Sequence, residues 1–530
     1  MKYPIGIQDF KNIITDGFVY VDKTDLIYRI VTEGQIYFLS RPRRFGKSLL
    51  VSTLKYYFQG EHELFKGLAI DSLEKEWKTY PIFHIDFNST NFQSGQALKK
   101  CLDAMVEEWE EQYGFEGNPN YDSGRRFAKL LAFIHESTGK RCVVLIDEYD
   151  KPLLDVLGTD SKTKDENGKE ILVEEFNRNI LKAFYSSFKV ASADLRFVFL
   201  TGVTKFSQVS VFSGFNQPID LSLDSRYDSL CGITETELEK VFHAEVDSMA
   251  DDLGLSHDEI RRVLKLQYDG YHFSRRMVDV YNPFSMFNAL CRKEISNYWF
   301  ATGTPTYLIR LLGHTHENLN ELTGKYYRSA DFVDYRADIE RPLPMIYQSG
   351  YLTIKGYDSR FNLFLLDFPN NEVKEGFVSL VANNYFKTDR DSAVEVITWV
   401  KSLENGDLEM FRRQLTAFFS SIPYTMRRKG DEREHERYFH YTFYLLFRLM
   451  STYTILTEQQ QSEGRADCII ETPENIYIFE FKLDGTAEDA LMQIESKGYS
   501  RPYMADSRPI HEIGVSFSSE TGTIGEWKEA

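Results

Sequence analysis

An apolar run that turns sharply into basic residues and closes on Gly-Lys-Ser constrains this chain most: Gln35-Ile-Tyr-Phe-Leu-Ser-Arg-Pro-Arg-Arg-Phe-Gly-Lys-Ser-Leu49. A strand entering such a turn, with a helix after it, surrounds phosphates with backbone N–H groups. The lysine ammonium then reaches the terminal phosphates and the serine hydroxyl ligates Mg²⁺. Arg43, Arg44, Phe45, Gly46, Lys47, Ser48 and Leu49 are therefore the candidate ATP-binding set. The usual G-x-x-x-x-G-K-[ST] pattern is half met, because Arg41, followed by Pro42, stands where the first glycine belongs.

A second element supports the phosphate reading. Arg141-Cys-Val-Val-Leu-Ile-Asp147-Glu148-Tyr-Asp150 is a continuous apolar run ending in acids, the pattern of a buried parallel strand that delivers carboxylates to its C-terminal edge. In a Walker B arrangement Asp147 holds Mg²⁺ through its water shell, and Glu148 orients and deprotonates the attacking water. A helix N-cap is the plainer role for Asp147. Thr201, in Thr201-Gly-Val-Thr-Lys205 after another apolar run, is a candidate γ-phosphate sensor or a simple turn cap.

Apolar runs at 36–39, 81–87, 142–146, 195–200 and 217–223 alternate with amphipathic stretches such as 48–58 and 95–113. Five parallel strands of a doubly wound α/β sheet follow from this alternation. With 530 residues the chain has room for two or three domains. No run approaches the ~18 apolar residues of a membrane span, and the N-terminus lacks a signal-peptide core, so a cytoplasmic location and no membrane partner are expected. The five cysteines are scattered and mostly in apolar contexts, which suggests reduced core thiols. A net charge of −18 argues against a protein that coats nucleic acid electrostatically. Arg41, Arg43, Arg44 and the run Met426-Arg-Arg-Lys-Gly430 are local exceptions.

Six segments now carry a family resemblance: Tyr20-Val-Asp-Lys-Thr24, Arg41 to Ser48, Leu145 to Asp150, Val211-Phe-Ser-Gly-Phe-Asn216, Tyr281-Asn-Pro-Phe284 and Tyr298-Trp-Phe-Ala-Thr-Gly303. Through nearly its whole length the chain resembles the bacterial AAA-ATPase-like proteins with a C-terminal PD-(D/E)XK nuclease-like domain. The resemblance implies that the missing first glycine is a family trait. It also implies a P-loop domain over 1–235, a helical lid or extension over 236–340, a connecting β-rich module over 341–385 and a nuclease-like domain over 386–530.

Thr234-Glu-Thr-Glu237 opens the helical region as a capping-box start for a helix through Phe242. Arg226, Arg275, Arg276 and Arg310 are alternative arginine fingers toward a neighbouring subunit, which keeps a homo-oligomer among the expectations. For any one of them a surface salt bridge is the plainer role. Runs at 347–354 and 363–370 read as strands of the connecting module.

In the last region Gly464-Arg-Ala-Asp467-Cys-Ile-Ile-Glu471 and Asn475-Ile-Tyr-Ile-Phe-Glu480-Phe-Lys482 read as two strands joined by Thr472-Pro-Glu-Asn475. A symmetric loop sets Glu471 against Ile476 and hence Asp467 against Glu480. Opposed residues share a face with Cβ atoms about 5 Å apart, and Lys482 shares it too. Two close carboxylates call for a divalent cation, Mg²⁺ or Mn²⁺, and Lys482 would stabilise the nucleophilic water or the developing charge. Gln493 and Tyr499, placed on the following helix, support the set. In the PD-(D/E)XK family the matching positions are Asp467, Glu480 and Lys482, with a supporting acid on the first helix. Glu436 is the best match for that acid, though Glu434 lies on the same helix. The plainer reading of the hairpin is a cross-strand salt bridge in an inactive nuclease fold.

The expected activity is ATP hydrolysis coupled to metal-dependent cleavage of nucleic acid, DNA favoured over RNA. The alternative is a nucleotide-controlled switch or interaction protein whose nuclease-like domain binds without cutting.

Overall fold

Five apolar strands of the N-terminal region line up as one parallel sheet: β1 (Ile36–Ser40), β2 (Ile82–Asp86), β3 (Cys142–Asp147), β4 (Leu195–Gly202) and β5 (Ile219–Asp220), in the order β2-β3-β4-β1-β5. The computed structural model describes the chain except for residues 166, 207–217, 303–306, 309–321, 334–341, 387–391, 422–454, 458–459, 462–463, 466–467 and 519. Side chains are further left undescribed at 382–386, 392–395, 421, 455–457, 460–461 and 464–465. The described residues divide into two compact units, Met1–Val373 and Lys374–Ala530.

Every residue of β3 is buried, as a parallel strand covered on both faces must be. Helix α1 (Lys47–Phe58) buries Leu50, Val51, Leu54 and Phe58, with the Phe58 ring 5.0 Å from Phe197 of β4. Helices α2 (Ala97–Tyr113), α3 (Ser123–Thr138) and α4 (Val173–Val190) bury an aromatic cluster in which Phe83 of β2 meets Trp109 and Phe127, and Phe127 stacks on Phe184. Each such ring contributes about 1.5–3 kcal/mol by leaving water. Asp122 caps α3 by accepting from Arg125 N at 2.8 Å.

The lateral order of the strands positions the loop after β1 and the acids that end β3. β4 lies between β1 and β3, pairing Thr201 with Leu39 on one side and Leu200 with Ile146 on the other. The end of β4 is thereby set between the Lys47 loop and the acids that end β3.

Beyond the sheet, Thr234 opens α5 (Glu235–Leu253) with both hydrogen bonds of a capping box, and Ser256 does the same for α6 (His257–Tyr268). α5 runs past Phe242 to Leu253, ending at the left-handed Gly254, because Val246, Met249 and Ala250 continue its buried stripe. Asn282 caps α7 (Pro283–Arg292), which packs Met286, Ala289 and Leu290 into the same core. A three-stranded sheet follows, made by β6 (Lys325–Tyr327), β7 (Thr353–Asp358) and β8 (Leu363–Asp367) in the order β6-β8-β7. The run expected as a strand from 347 starts inside a helix instead, Leu343–Gln348, whose core contacts come from Met345 and Ile346. A short apolar run does not by itself distinguish helix from strand. The fifth strand stops short of 223: the Asp220 carboxylate accepts from Ser222 N at 2.8 Å, a local turn, and the ladder with β1 has its last rung at Phe38↔Asp220.

The C-terminal unit holds a five-stranded mixed sheet of β9 (Ile455–Thr457), β10 (Cys468–Glu471), β11 (Ile476–Leu483), β12 (Ile510–Ser518) and β13 (Thr523–Glu529), in chain order across the sheet. β11 and β12 are parallel and joined through α8 (Ala487–Lys497). One face packs Ile476, Ile478 and Ile494 against Tyr499 and Tyr503. The other packs Phe479 against Phe411 and Trp527. All five cysteines are free; Cys142, Cys231 and Cys468 are buried, while Cys291 is exposed. Among the described residues no helix is long and apolar enough to cross a membrane.

Candidate functional sites

The loop between β1 and α1 is shaped by two left-handed residues, Arg44 (φ 67°) and Gly46 (φ 88°). A Cβ at Gly46 would meet nothing within 4 Å, so this glycine is required by its backbone angle and not by crowding. It is the N-cap of α1 and offers the helix no side-chain acceptor, and the first turn contains no acid. The N-terminal N–H groups, those of Ser48 and Leu49 among them, therefore point toward the loop as an anion-binding end. Lys47 is 4 % exposed and curls back so that Nζ donates to the carbonyls of Arg41 (3.1 Å) and Pro42 (3.2 Å). Its ammonium also lies 3.9 Å from Glu148 Oε1. The strand–loop–helix thus brings Lys47 and Glu148 together from opposite sides of β4.

Arg43 and Arg44 are exposed, their guanidinium groups lying over Tyr307 and Phe284 at 5.9 and 5.1 Å. The Arg43 carbonyl accepts from Trp299 Nε1 at 3.1 Å. The Phe45 ring is buried against Tyr271 and Phe273, so its side chain belongs to the core.

Arg41 departs from its expected place in a basic phosphate cradle. It is 1 % exposed, with its guanidinium 4.0 Å above the Phe273 ring and donating to the carbonyls of Ser40, Ser222 and Tyr227. The side chain is an internal brace between the loop and the chain after β5, and burial lowers its pKa from the ordinary arginine value. Arg41→Met leaves those carbonyls without their donor and is expected to cost about 2–4 kcal/mol. A urea midpoint equal to wild type would remove this bracing role, and the exposed Arg43→Met provides the comparison.

At the end of β3, Asp147 is 3 % exposed and its Oδ1 accepts from Thr201 Oγ1 (2.7 Å) and Glu148 N (3.1 Å). Glu148 adopts φ 52°, an unusual angle for a non-glycine residue that turns its carboxyl toward Lys47. Burial pushes its pKa up to about 7; Lys47 opposes that rise, while Asp150 and Asp147 add to it. Asp150, the last residue of the Leu145-to-Asp150 segment and given no role by the sequence, is wholly buried and accepts from Val203 N, Thr204 N and Thr204 Oγ1. It locks the acidic turn after β3 to the loop after β4. Serine hydroxyl and carboxylate are hard oxygen donors, so Ser48 and Asp147 suit Mg²⁺.

Of the arginine-finger candidates, Arg226 pairs with Asp224 (2.7 Å) and Glu33 (3.3 Å), and Arg276 donates to Ser225 O. Arg275 lines a cavity of about 310 Å³ with Asp224, Ser274 and Tyr357. Arg310 lies outside the described residues, as do Val211–Asn216, Gly303 and the basic run from Met426 to Gly430.

In the C-terminal unit the turn closes as its spacing predicts, Thr472 N donating to Asn475 O, with Glu471 opposite Ile476 and Cys468 opposite Phe479. Asp467, Glu436 and Glu434 lie outside the described residues. Glu480 is 2 % exposed on β11, and Lys482 follows on the same face. Lys482 Nζ donates to Gln493 Oε1 (2.6 Å) and Glu480 Oε1 (3.3 Å), while Gln493 Nε2 donates to Glu480 Oε1. The three side chains thus form a closed triangle. It depends on a close approach: a Cβ at Gly514 would come within 2.2 Å of Ala487 O, so glycine lets α8 settle on β12 and carry Gln493 to Glu480. Tyr499 falls beyond the α8 cap at Gly498 and packs in the core, away from the helix face expected for it.

Known proteins resemble the chain in both regions. The family described as "Predicted AAA-ATPase" matches residues 4–212, and the PD-(D/E)XK nuclease superfamily matches residues 434–527. An uncharacterized protein in the vnfD 5′ region of Azotobacter chroococcum mcd 1 is 35 % identical over 529 residues, covering 99 % of this chain and 98 % of its own. Among solved structures, the Aeropyrum pernix ORC2 protein in ADPNP and ADP complexes aligns with a TM-score of 0.27 at 13 % identity, over 68 % of this chain and 91 % of its own. Cdc6p from Pyrobaculum aerophilum aligns with a TM-score of 0.25 at 12 % identity, over 72 % and 93 %. Scores this low carry no functional argument.

Proposed function

Because the chain belongs to the family of AAA-ATPase-like proteins with a C-terminal PD-(D/E)XK nuclease-like domain, we propose that it binds and hydrolyses ATP and uses the cycle to control metal-dependent cleavage of nucleic acid, DNA before RNA. The observation that carries this reading is the convergence of Lys47 and Glu148 across β4, with Thr201 holding Asp147 between them. Domains of these two kinds generally use a nucleotide and a divalent metal. When bound, Mg²⁺ with ATP supplies a polarised γ-phosphate, and Ser48 and Asp147 are the residues that would hold the ion.

The remaining work falls to the chain. Backbone N–H groups of residues 43–49 cradle the phosphates, and Lys47 leaves its carbonyl partners to meet the terminal phosphates. Glu148 takes a proton from the attacking water, and Thr201 senses the γ-phosphate through its bond to Asp147. In the C-terminal domain Glu480, with Asp467 and Glu436, would hold Mg²⁺ or Mn²⁺. Lys482, oriented by Gln493, stabilises the nucleophile and the charge that develops on the phosphate. We assign 1–235 to nucleotide binding, 236–340 to a lid, 341–385 to a connector and 386–530 to the nuclease-like domain. A cytoplasmic location and a homo-oligomer with an arginine finger belong to the same proposal. The net charge of −18 favours a second reading, a nucleotide-controlled switch that binds a partner without cutting.

The nucleotide half is tested by calorimetric titration with ATP and Mg²⁺. Wild type is expected to bind, and Lys47→Ala to show no measurable binding. Equal affinity in the variant would remove the phosphate site from this loop.

A further inference from the structure

Away from both sites, α5 and α6 bring two imidazoles and two carboxylates to one patch. Glu239, His243 and Asp247 are spaced by four residues and share one side of α5. Gly254 ends that helix in the left-handed region, and the reversal places His257, the first residue of α6, against them. His243 meets Glu239 through Nδ1 and lies 3.4 Å from Asp247 Oδ2 through Nε2. His257 lies 2.5 Å from Asp247 Oδ1 through Nδ1 and 3.5 Å from Glu239 Oε2 through Nε2. Each ring is thus bracketed by both carboxylates, and the ring centroids are 4.6 Å apart.

With neutral rings, protons alone leave contacts in this arrangement unsatisfied. A neutral imidazole donates from one nitrogen only, so its other nitrogen turns a lone pair toward carboxylate oxygens. Two imidazolium rings would satisfy all four contacts as a neutral quartet with the carboxylates, but above the ordinary imidazole range each ring keeps one nitrogen without a proton and free to ligate. His257 Nε2 is shielded from water and makes no hydrogen bond, with Glu239 Oε2 at 3.5 Å. One ligand atom from each of Glu239, His243 and His257 lies within 4.8 Å of the others. Arg261, the nearby cation, is held by Glu235 through Nε at 3.0 Å and stands 3.7 Å from Glu239.

We propose that Glu239, His243 and His257 form a site for a divalent transition cation, Zn²⁺ foremost, that clasps α5 to α6, with Asp247 accepting from the ring N–H groups on the far side. Two imidazole nitrogens with one carboxylate suit zinc and make a poor site for Mg²⁺, which prefers oxygen alone. The site is separate from the residues proposed above for ATP and for cleavage.

The test uses the full-length protein, stripped with chelator and titrated with Zn²⁺ at a pH of about 8, above the ordinary imidazole range. A large excess of Mg²⁺ fills the oxygen-only sites. Wild type is expected to take up one more equivalent of Zn²⁺ than His243→Ala/His257→Ala, and each single variant to bind it at least about 10-fold more weakly, the lower bound being what loss of an outer-shell partner costs. Glu480→Gln is expected to keep the extra equivalent. Because the four side chains are partly exposed, the variants should fold, which circular dichroism checks. If the double variant does not fold, Co²⁺ absorption decides: wild type gives a visible four-coordinate spectrum that Zn²⁺ abolishes, and His257→Gln does not. Equal Zn²⁺ uptake by wild type and variants, or no uptake by wild type, overturns the site.

Discussion

Glu148→Gln is expected to bind ATP as wild type does and to hydrolyse it ~10²-fold or more slowly, the usual loss when a positioned base is removed. The substitution keeps the side-chain length and the backbone turn at φ 52°, so the phosphate loop is undisturbed. What it removes is the carboxylate that faces Lys47 at 3.9 Å. The wild-type pH profile carries an independent signature. Burial pushes the Glu148 pKa up to about 7, and only the ionised form accepts a proton. Below that pH the group is protonated and idle, so kcat/KM for ATP, which reports the free protein, should rise through about 7 and level off above it. The glutamine variant should lose this rise. Equal turnover in Glu148→Gln would move the base elsewhere, and Asp150 would be a poor replacement because its Oδ2 accepts three hydrogen bonds from the chain.

The second large effect concerns Lys482. Its side chain is 28 % exposed, held by Gln493 at 2.6 Å and Glu480 at 3.3 Å, so the ammonium is oriented by the fold and still reachable from solvent. Lys482→Ala is expected to reduce metal-dependent cleavage by ~10²-fold or more, as for loss of a preorganised donor at a developing charge. ATP hydrolysis should be unchanged in the absence of nucleic acid. Thermal unfolding guards against a trivial cause: Lys482 is partly exposed but Glu480 is buried, so removing its cation should cost more than the ~1 kcal/mol of a surface pair, and cleavage is compared at a temperature where the variant is folded. Cleavage at the wild-type rate in the variant would reduce the Glu480–Lys482–Gln493 triangle to a structural salt bridge.

What could be read from the sequence was what is encoded locally. The change from strand to turn to helix at 35–58 and the apolar run at 142–147 announce themselves by period and by terminal residues. The hairpin register follows from the short turn at Thr472–Asn475, and its rungs from Cys468↔Phe479 to Glu471↔Ile476 obey it. Direction and lateral order were not encoded in this way. Nothing near Arg41 reveals that its guanidinium turns inward, because its acceptors at Ser222 and Tyr227 arrive from beyond β5. Similarly, the insertion of β4 between β1 and β3, which sets Thr201 beside Asp147, is a property of the sheet and not of any segment. The Glu239–His243–Asp247 spacing is visible as a helix face, but its fourth member comes from the next helix, and only the reversal at Gly254 supplies it.

Coupling between the two domains is tested by a cleavage assay with the full-length protein on single-stranded, duplex and branched DNA and on RNA, with Mg²⁺ or Mn²⁺, in the presence and absence of ATP. Metal-dependent cleavage of at least one of these substrates is expected, altered by ATP in wild type, no longer responsive in Glu148→Gln and lost in Lys482→Ala. No cleavage of any substrate by wild type under any of these conditions would contradict an ATP-controlled nuclease and leave a nucleotide-controlled switch.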